Sequence, residues 1–168
     1  MRRLALSLTL AAVAAGPAAA EQDLLLGADM SSPAMTKADM SRADVEALIE
    51  GADGKPVDLH DKSLSGLDLS GLNLRGANLR TARLNRANLR GADLSGANLE
   101  QAWFLKADLA GAKLADAKMF GITARDADLS GADLSRSMPI GDFKGANMSG
   151  ATLVDLKGGA TSRTSPWA

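Results

Sequence analysis

The chain is 168 residues long, and 19 Lys+Arg against 20 Asp+Glu leave it a formal net charge of -1. It has no cysteine, no tyrosine and a single histidine. These counts exclude disulfides, thiolate metal centres and cysteine nucleophiles, and the near-balanced charge points at no strongly charged partner.

Residues 1–20 read as an export signal: Arg2 and Arg3 form a basic start, Leu4 to Gly16 an apolar run, and Pro17-Ala18-Ala19-Ala20 a small-residue cleavage site. The apolar run is shorter than the roughly 20 residues that span a bilayer, and no later segment is apolar enough to cross one. The expectation is a protein exported to the periplasm or secreted, cut after Ala20. Without its two arginines the net charge falls from -1 to -3.

Residues 21–56 form an N-terminal segment in which a helix is expected at about 41–50. Ser41 is its N-cap, with Asp44 three residues on and Gly51 as the stop signal. Val45, Leu48 and Ile49 make an apolar stripe able to cover the end of a neighbouring element. Ala28-Asp29-Met30 and Ala38-Asp39-Met40 leave a repeat-like reading of 21–40 open. The five-residue spacing of Met30, Met35 and Met40 suits packing better than soft-metal ligation.

From Val57 to Arg136 the chain divides without a gap into sixteen five-residue units. Leucine occupies the third, central position in thirteen of them: Leu59, Leu64, Leu69, Leu74, Leu79, Leu84, Leu89, Leu94, Leu99, Leu109, Leu114, Leu129 and Leu134. Phe104, Met119 and Ala124 fill the other three, and all sixteen centres are expected in the core. Alanine stands two residues before the centre in eleven units, and Asp or Asn immediately before it in ten. Five residues of α-helix would scatter the centres round the circumference, and a strand would alternate them between faces. A chain that turns after every unit can aim them all at one axis, as an all-β solenoid. Gly at the last position of eight units suits such corners. Departures from the pattern recur every twenty residues, at Lys62-Ser63, Arg83, Trp103-Phe104 and Ile122-Thr123-Ala124, so four units make a coil. Coils then stack by backbone pairing at ~4.8 Å each.

Units such as Ala77-Asn78-Leu79-Arg80-Thr81, Ala92-Asp93-Leu94-Ser95-Gly96 and Ala132-Asp133-Leu134-Ser135-Arg136 resemble the pentapeptide-repeat proteins, whose motif is A-(D/N)-L-x-x. The resemblance covers residues 57–155 and implies a right-handed quadrilateral parallel β-helix of about four to five coils. It implies little about activity. The register slips at Ser137-Met138-Pro139-Ile140, where a bulge or corner is expected at Pro139, and the core resumes on Phe143, Met148 and Leu153. Residues 156–168 read as a flexible tail, with Trp167 a candidate lid. An uncovered end of the stack offers a homodimer interface.

No catalytic constellation, cofactor loop or metal spacing is present in the sequence. His60 between Asp58 and Asp61 reads as an exposed side chain, and the Asp/Asn column as structural rather than a calcium ladder. The expected function is therefore a non-enzymatic exported scaffold or interaction module without a cofactor, with an enzyme of unknown activity as a remoter alternative. The resemblance adds an alternative, the DNA-mimicking gyrase binders, but Arg75, Arg80, Arg83, Arg86 and Arg90 interrupt the sustained negative potential that mimicry needs. Export would also separate the protein from nucleic acid. The expected partner, a protein or an anionic ligand, would meet the face built on Leu64, Leu84, Phe104 and Ala124. This face abandons the Asp/Asn column and carries Trp103 and Leu105, with Arg83, Arg86, Lys106 and Arg125 around them and Phe120 at the preceding corner.

Overall fold

A computed structural model describes residues 36–157. The signal-peptide reading, Met30, Met35 and Trp167 lie outside the described residues.

The backbone winds as a right-handed quadrilateral β-helix. Parallel bridges join residues twenty apart: Asp58 with Asn78, Ser63 with Arg83, Asp68 with Asn88 and Asn73 with Asp93, and so on along the stack. Each side of the square is too short for a long strand, so the pairing is mostly single bridges. Among the described residues only β1 (Lys118–Thr123) and β2 (Met138–Asp142) run further, as a parallel pair.

Three backbone amides of a unit serve this ladder. In the unit of Leu99, Asn98 donates to Ala77 O of the coil before, while Leu99 and Gln101 donate to Lys118 O and Phe120 O of the coil after. The fourth closes the corner, since Ala102 donates to Leu99 O. Every such corner has a left-handed residue at the last position of the unit. Glycine is at ease there, as at Gly91 with φ +61. Thr81, Arg86, Gln101, Lys106, Asp116, Asp126 and Arg136 adopt the same conformation without that freedom.

The centres from Leu59 to Leu134 are buried, together with the alanines two residues before them. Leu74, Leu94, Leu114 and Leu134 show that this burial survives departures from the motif at the two positions before the centre. They fall on one side of the square, joined through the bridges of Asn73, Asp93, Lys113 and Asp133, and all four are enclosed. Leu74 is enclosed although Leu72, not alanine, stands two residues before it, and Leu114 although Lys113 replaces the usual Asp or Asn. The interior also alternates in volume along the axis. Phe104, Ala124 and Phe143 stack in one column, and Ala102 and Ile122 in the column beside it. Large meets small in both directions, which keeps the packing dense without displacing the backbone. At the last coil Met148 and Leu153 are only partly buried, unlike the enclosed centres expected of them.

The register slip falls differently from the expectation at Pro139. Pro139 pairs with Met119, and the irregularity lies between Phe120 and Ile122, so Gly121 on β1 is the extra residue. Gly141 opposite Ile122 has no room for a side chain, because a Cβ there would overlap the Ile122 carbonyl. Lys157, which the sequence places in the tail, still meets the coil. Lys157 donates its amide to Ser137 O and places its ammonium 3.1 Å from Asp116.

Helix α1 (Arg42–Gly51) is capped by Ser41, whose hydroxyl accepts from the Asp44 amide while the Asp44 carboxylate accepts from the Ser41 amide. Gly51 is its last residue rather than its stop; the chain reverses at Asp53 and Gly54, both with positive φ. Val45 is buried in the core cluster, with Ile49 and Ala52 partly so. Arg42 donates to the carbonyls of Asp68 and Ser70 on the first coil. In later coils those positions accept from the coil before, so Arg42 supplies donors that a preceding coil would have supplied.

Candidate functional site

The role of the Asp/Asn column explains where the chain departs from it. A fifth amide in each unit, that of the residue after the centre, has no place in the ladder or the corner. In all ten units with Asp or Asn before the centre, that side chain accepts from this amide, as Asp68 does from Ser70 at 3.0 Å and Asp128 from Ser130 at 2.9 Å. Asparagines also donate across coils, Asn78 to Asp58 and Asn88 to Asp68. Hydrogen bonds from the side chain and the amide of the residue after the centre, His60 for Asp58, Ser70 for Asp68, Ser130 for Asp128 and Ser135 for Asp133, hold these carboxylates below their ordinary range. For Asp93, burial pushes upward, but the bonds to Ser95 and the nearby Arg75 and Lys113 leave it lowered.

The face through Leu64, Leu84, Phe104 and Ala124 solves the same problem by other means. Trp103 cannot accept the Leu105 amide, and Asn85 of the preceding coil accepts it instead, at 3.1 Å. Asn85 is therefore buried, not outward as its place in the repeat suggests. It is the only asparagine after a centre in the sixteen units, twenty residues before the unit that needs it, a signal present in the sequence but missed. Ser63 and Ser65 are likewise buried. Ser63 donates its hydroxyl to Lys37 O, and its amide to the Asp39 carboxylate at 2.8 Å, while the Asp39 amide donates to Ser63 O. A stretch of the N-terminal segment thus extends this face beyond the first coil.

The residues expected to form a contact surface divide accordingly. Arg86 and Lys106 are exposed, and Trp103 and Leu105 half-buried. Arg125 is not a free surface cation: its side chain is 16% exposed, with Nε 3.1 Å from Asp142. Arg83 sits with Nη2 3.9 Å from Asp39, its Nε buried without a hydrogen bond. Phe120 lies round the corner on β1, 55% exposed and paired with Ile140, itself 45% exposed. The repeat gives no hint of that apolar pair, because Ile140 falls in the slipped register.

His60 shares a shallow groove with Asp58, Asn78, Arg80 and Asn98. Its Nδ1 lies 2.9 Å from Asp58 Oδ1, an atom that also accepts from Asn78. Among the described residues no group of three or more His, Cys, Asp or Glu is placed to hold a metal ion, and no helix is long and apolar enough to cross a membrane.

Comparison with known proteins agrees with this construction. The family described as pentapeptide repeats matches residues 63–101 and 102–137, in eight copies. No curated protein matches. Among solved structures, a pentapeptide repeat protein from Nostoc Pcc 7120 is 31% identical with a TM-score of 0.54, the match covering 62% of this chain and 94% of that one. One from the cyanobacterium Cyanothece 51142 is 30% identical over 60% of this chain and 62% of its own, with a TM-score of 0.39. One from the Arabidopsis thaliana thylakoid lumen is 33% identical over 56% and 63%, with a TM-score of 0.31. The five-residue units, the four-sided coil, the family match and the likeness to the Nostoc protein together make the chain a member of the pentapeptide-repeat family.

Proposed function

We propose that the protein is a non-enzymatic, exported interaction scaffold, and that its contact surface is the face bearing Trp103 and Leu105. The observation that carries this reading is the exchange of roles between Trp103 and Asn85. The repeat gives an Asp or Asn before the centre a structural task, and here that task has moved to the neighbouring coil. The position it left carries an indole, which serves the fold less directly than the residue it replaces and is a favoured anchor in protein contacts. The signal-like residues 1–20 support a location in the periplasm or outside the cell. The test is capture from periplasmic extract by the purified protein, in parallel with Trp103→Ala and with Arg80→Ala on another face. A partner retained by Arg80→Ala and lost with Trp103→Ala supports the reading. An identical set of proteins on all three contradicts it.

A further inference from the structure

The corner that follows the Trp103 face carries two cations for which the fold gives no account. Corner positions adopt positive φ, and the corner after Leu69, Leu89, Leu109, Leu129 and Met148 uses glycine each time: Gly71, Gly91, Gly111, Gly131 and Gly150. The corner after Leu84 and Phe104 instead holds Arg86 at φ 58 and Lys106 at φ 56. A side chain in that conformation is disfavoured. Asp61, Thr81, Asp116 and Arg136, which share it, gain intramolecular contacts: Thr81 bonds Asp61, and Arg136 pairs with Asp116 at 2.9 Å. Arg86 and Lys106 make no ion pair or side-chain hydrogen bond among the described residues. They also stand one coil apart at ~4.8 Å spacing, like charges in register that repel. Gln101 and Asp126 share the conformation as well, so what sets Arg86 and Lys106 apart is the stacking of two like charges with no ion pair, an arrangement that a partner of opposite charge would relieve.

The chemistry of that partner is written on the same face. At one end the chain's own segment lays Asp39 on the first coil, its amide on Ser63 O and its carboxylate 3.9 Å from Arg83. At the other end Asp142 lies 3.1 Å from Arg125. The arginines at both ends have a carboxylate from the chain itself, whereas Arg86 and Lys106 between them form no ion pair, although Asp126 stands at the same corner one coil beyond Lys106. We propose that Arg86 and Lys106, with Trp103 and Leu105 beside them, bind an acidic peptide segment of a partner protein. Carboxylates would pair with the two cations, and an aliphatic part of the segment would lie against the half-buried indole. This deepens the interaction-surface reading and rests on it.

The test uses the purified protein and a penta-glutamate peptide, titrated calorimetrically at low ionic strength, with a heparin fragment as a second polyanion. Arg86→Gly/Lys106→Gly is the informative variant, because glycine relieves the corner and the protein remains folded. The expected result is peptide binding that weakens at least about tenfold in this variant, is unchanged in Arg80→Ala, and falls as salt is added. The variant should unfold at the same temperature as the parent or higher. Equal binding by parent and variant, no binding by the parent, heparin binding without peptide binding, or a lower unfolding temperature in the variant would each overturn the proposal. Loss of capture with Trp103→Ala alongside failure of the peptide would leave the contact face standing and remove only its acidic partner.

Discussion

The repeat assigns one task to each of its five positions, and the Asp/Asn position shows how a single side chain is tied to the backbone. Asp128 accepts the Ser130 amide at 2.9 Å. Asp128→Ala leaves that amide without its acceptor, and a loss of about 1 kcal/mol is expected in denaturant unfolding at neutral pH. Asp128→Asn keeps the acceptor and should cost little there. The two also differ in acid. The hydrogen bonds that lower Asp128 below its unfolded value contribute stability above that value, which is lost as pH falls through the folded one. The same holds for Asp68 and Asp133. Unfolding midpoints should therefore decline below about pH 4, and less steeply in Asp128→Asn than in the parent. An identical acid slope in both would show that this carboxylate is not coupled to folding. The sequence marks the column as structural; that its target is the one amide left over by ladder and corner is visible only with the hydrogen bonds.

At the scale of elements, the two glycines at 91 and 141 separate conformation from space. Gly91 is a left-handed corner with open space where a Cβ would go, whereas Gly141 faces the Ile122 backbone in the bulged pair of β1 and β2. Gly91→Ala should cost about 1 kcal/mol, the ordinary penalty of that conformation, read from the thermal midpoint. Gly141→Ala has to move backbone and should lose several times as much. Similar losses would mean that the bulge is loose enough to yield. Helix α1 is readable from Ser41, Asp44 and the apolar Val45 and Ile49, since capping and amphipathicity are local signals, although Leu48 of the same expected stripe is exposed. The bulge is not. Pro139 stands out because it lacks an amide, but register is decided by which strand carries the surplus residue, and Gly121 shows nothing unusual in a column where glycine is common. The Arg42 contacts are hidden for a related reason, since an arginine in a helix gives no sign of which distant carbonyls it will reach.

For the molecule as a whole, the twenty-residue period defines the faces, and the burial of the centres from Leu59 to Leu134 follows it. The candidate surface is legible only in outline. Trp103, Leu105, Arg86 and Lys106 fall together on the predicted side. Arg83 and Arg125 turn toward Asp39 and Asp142, which lie 44 and 17 residues away in sequence and pair only because the chain wraps. Alternation of axis and surface within one unit is the feature on which the whole coil depends. Leu94 is fully buried on the axis, and Ser95 beside it is half-exposed. Thermal unfolding of Leu94→Asp and Ser95→Asp, followed side by side by circular dichroism, tests this directly. Leu94→Asp should lose about 4 kcal/mol or more, enough to abolish a cooperative transition in a marginally stable domain, because it leaves a charge unpaired in the core. Ser95→Asp should stay within about 0.5 kcal/mol of the parent. Equal midpoints for the two variants would contradict the four-sided coil.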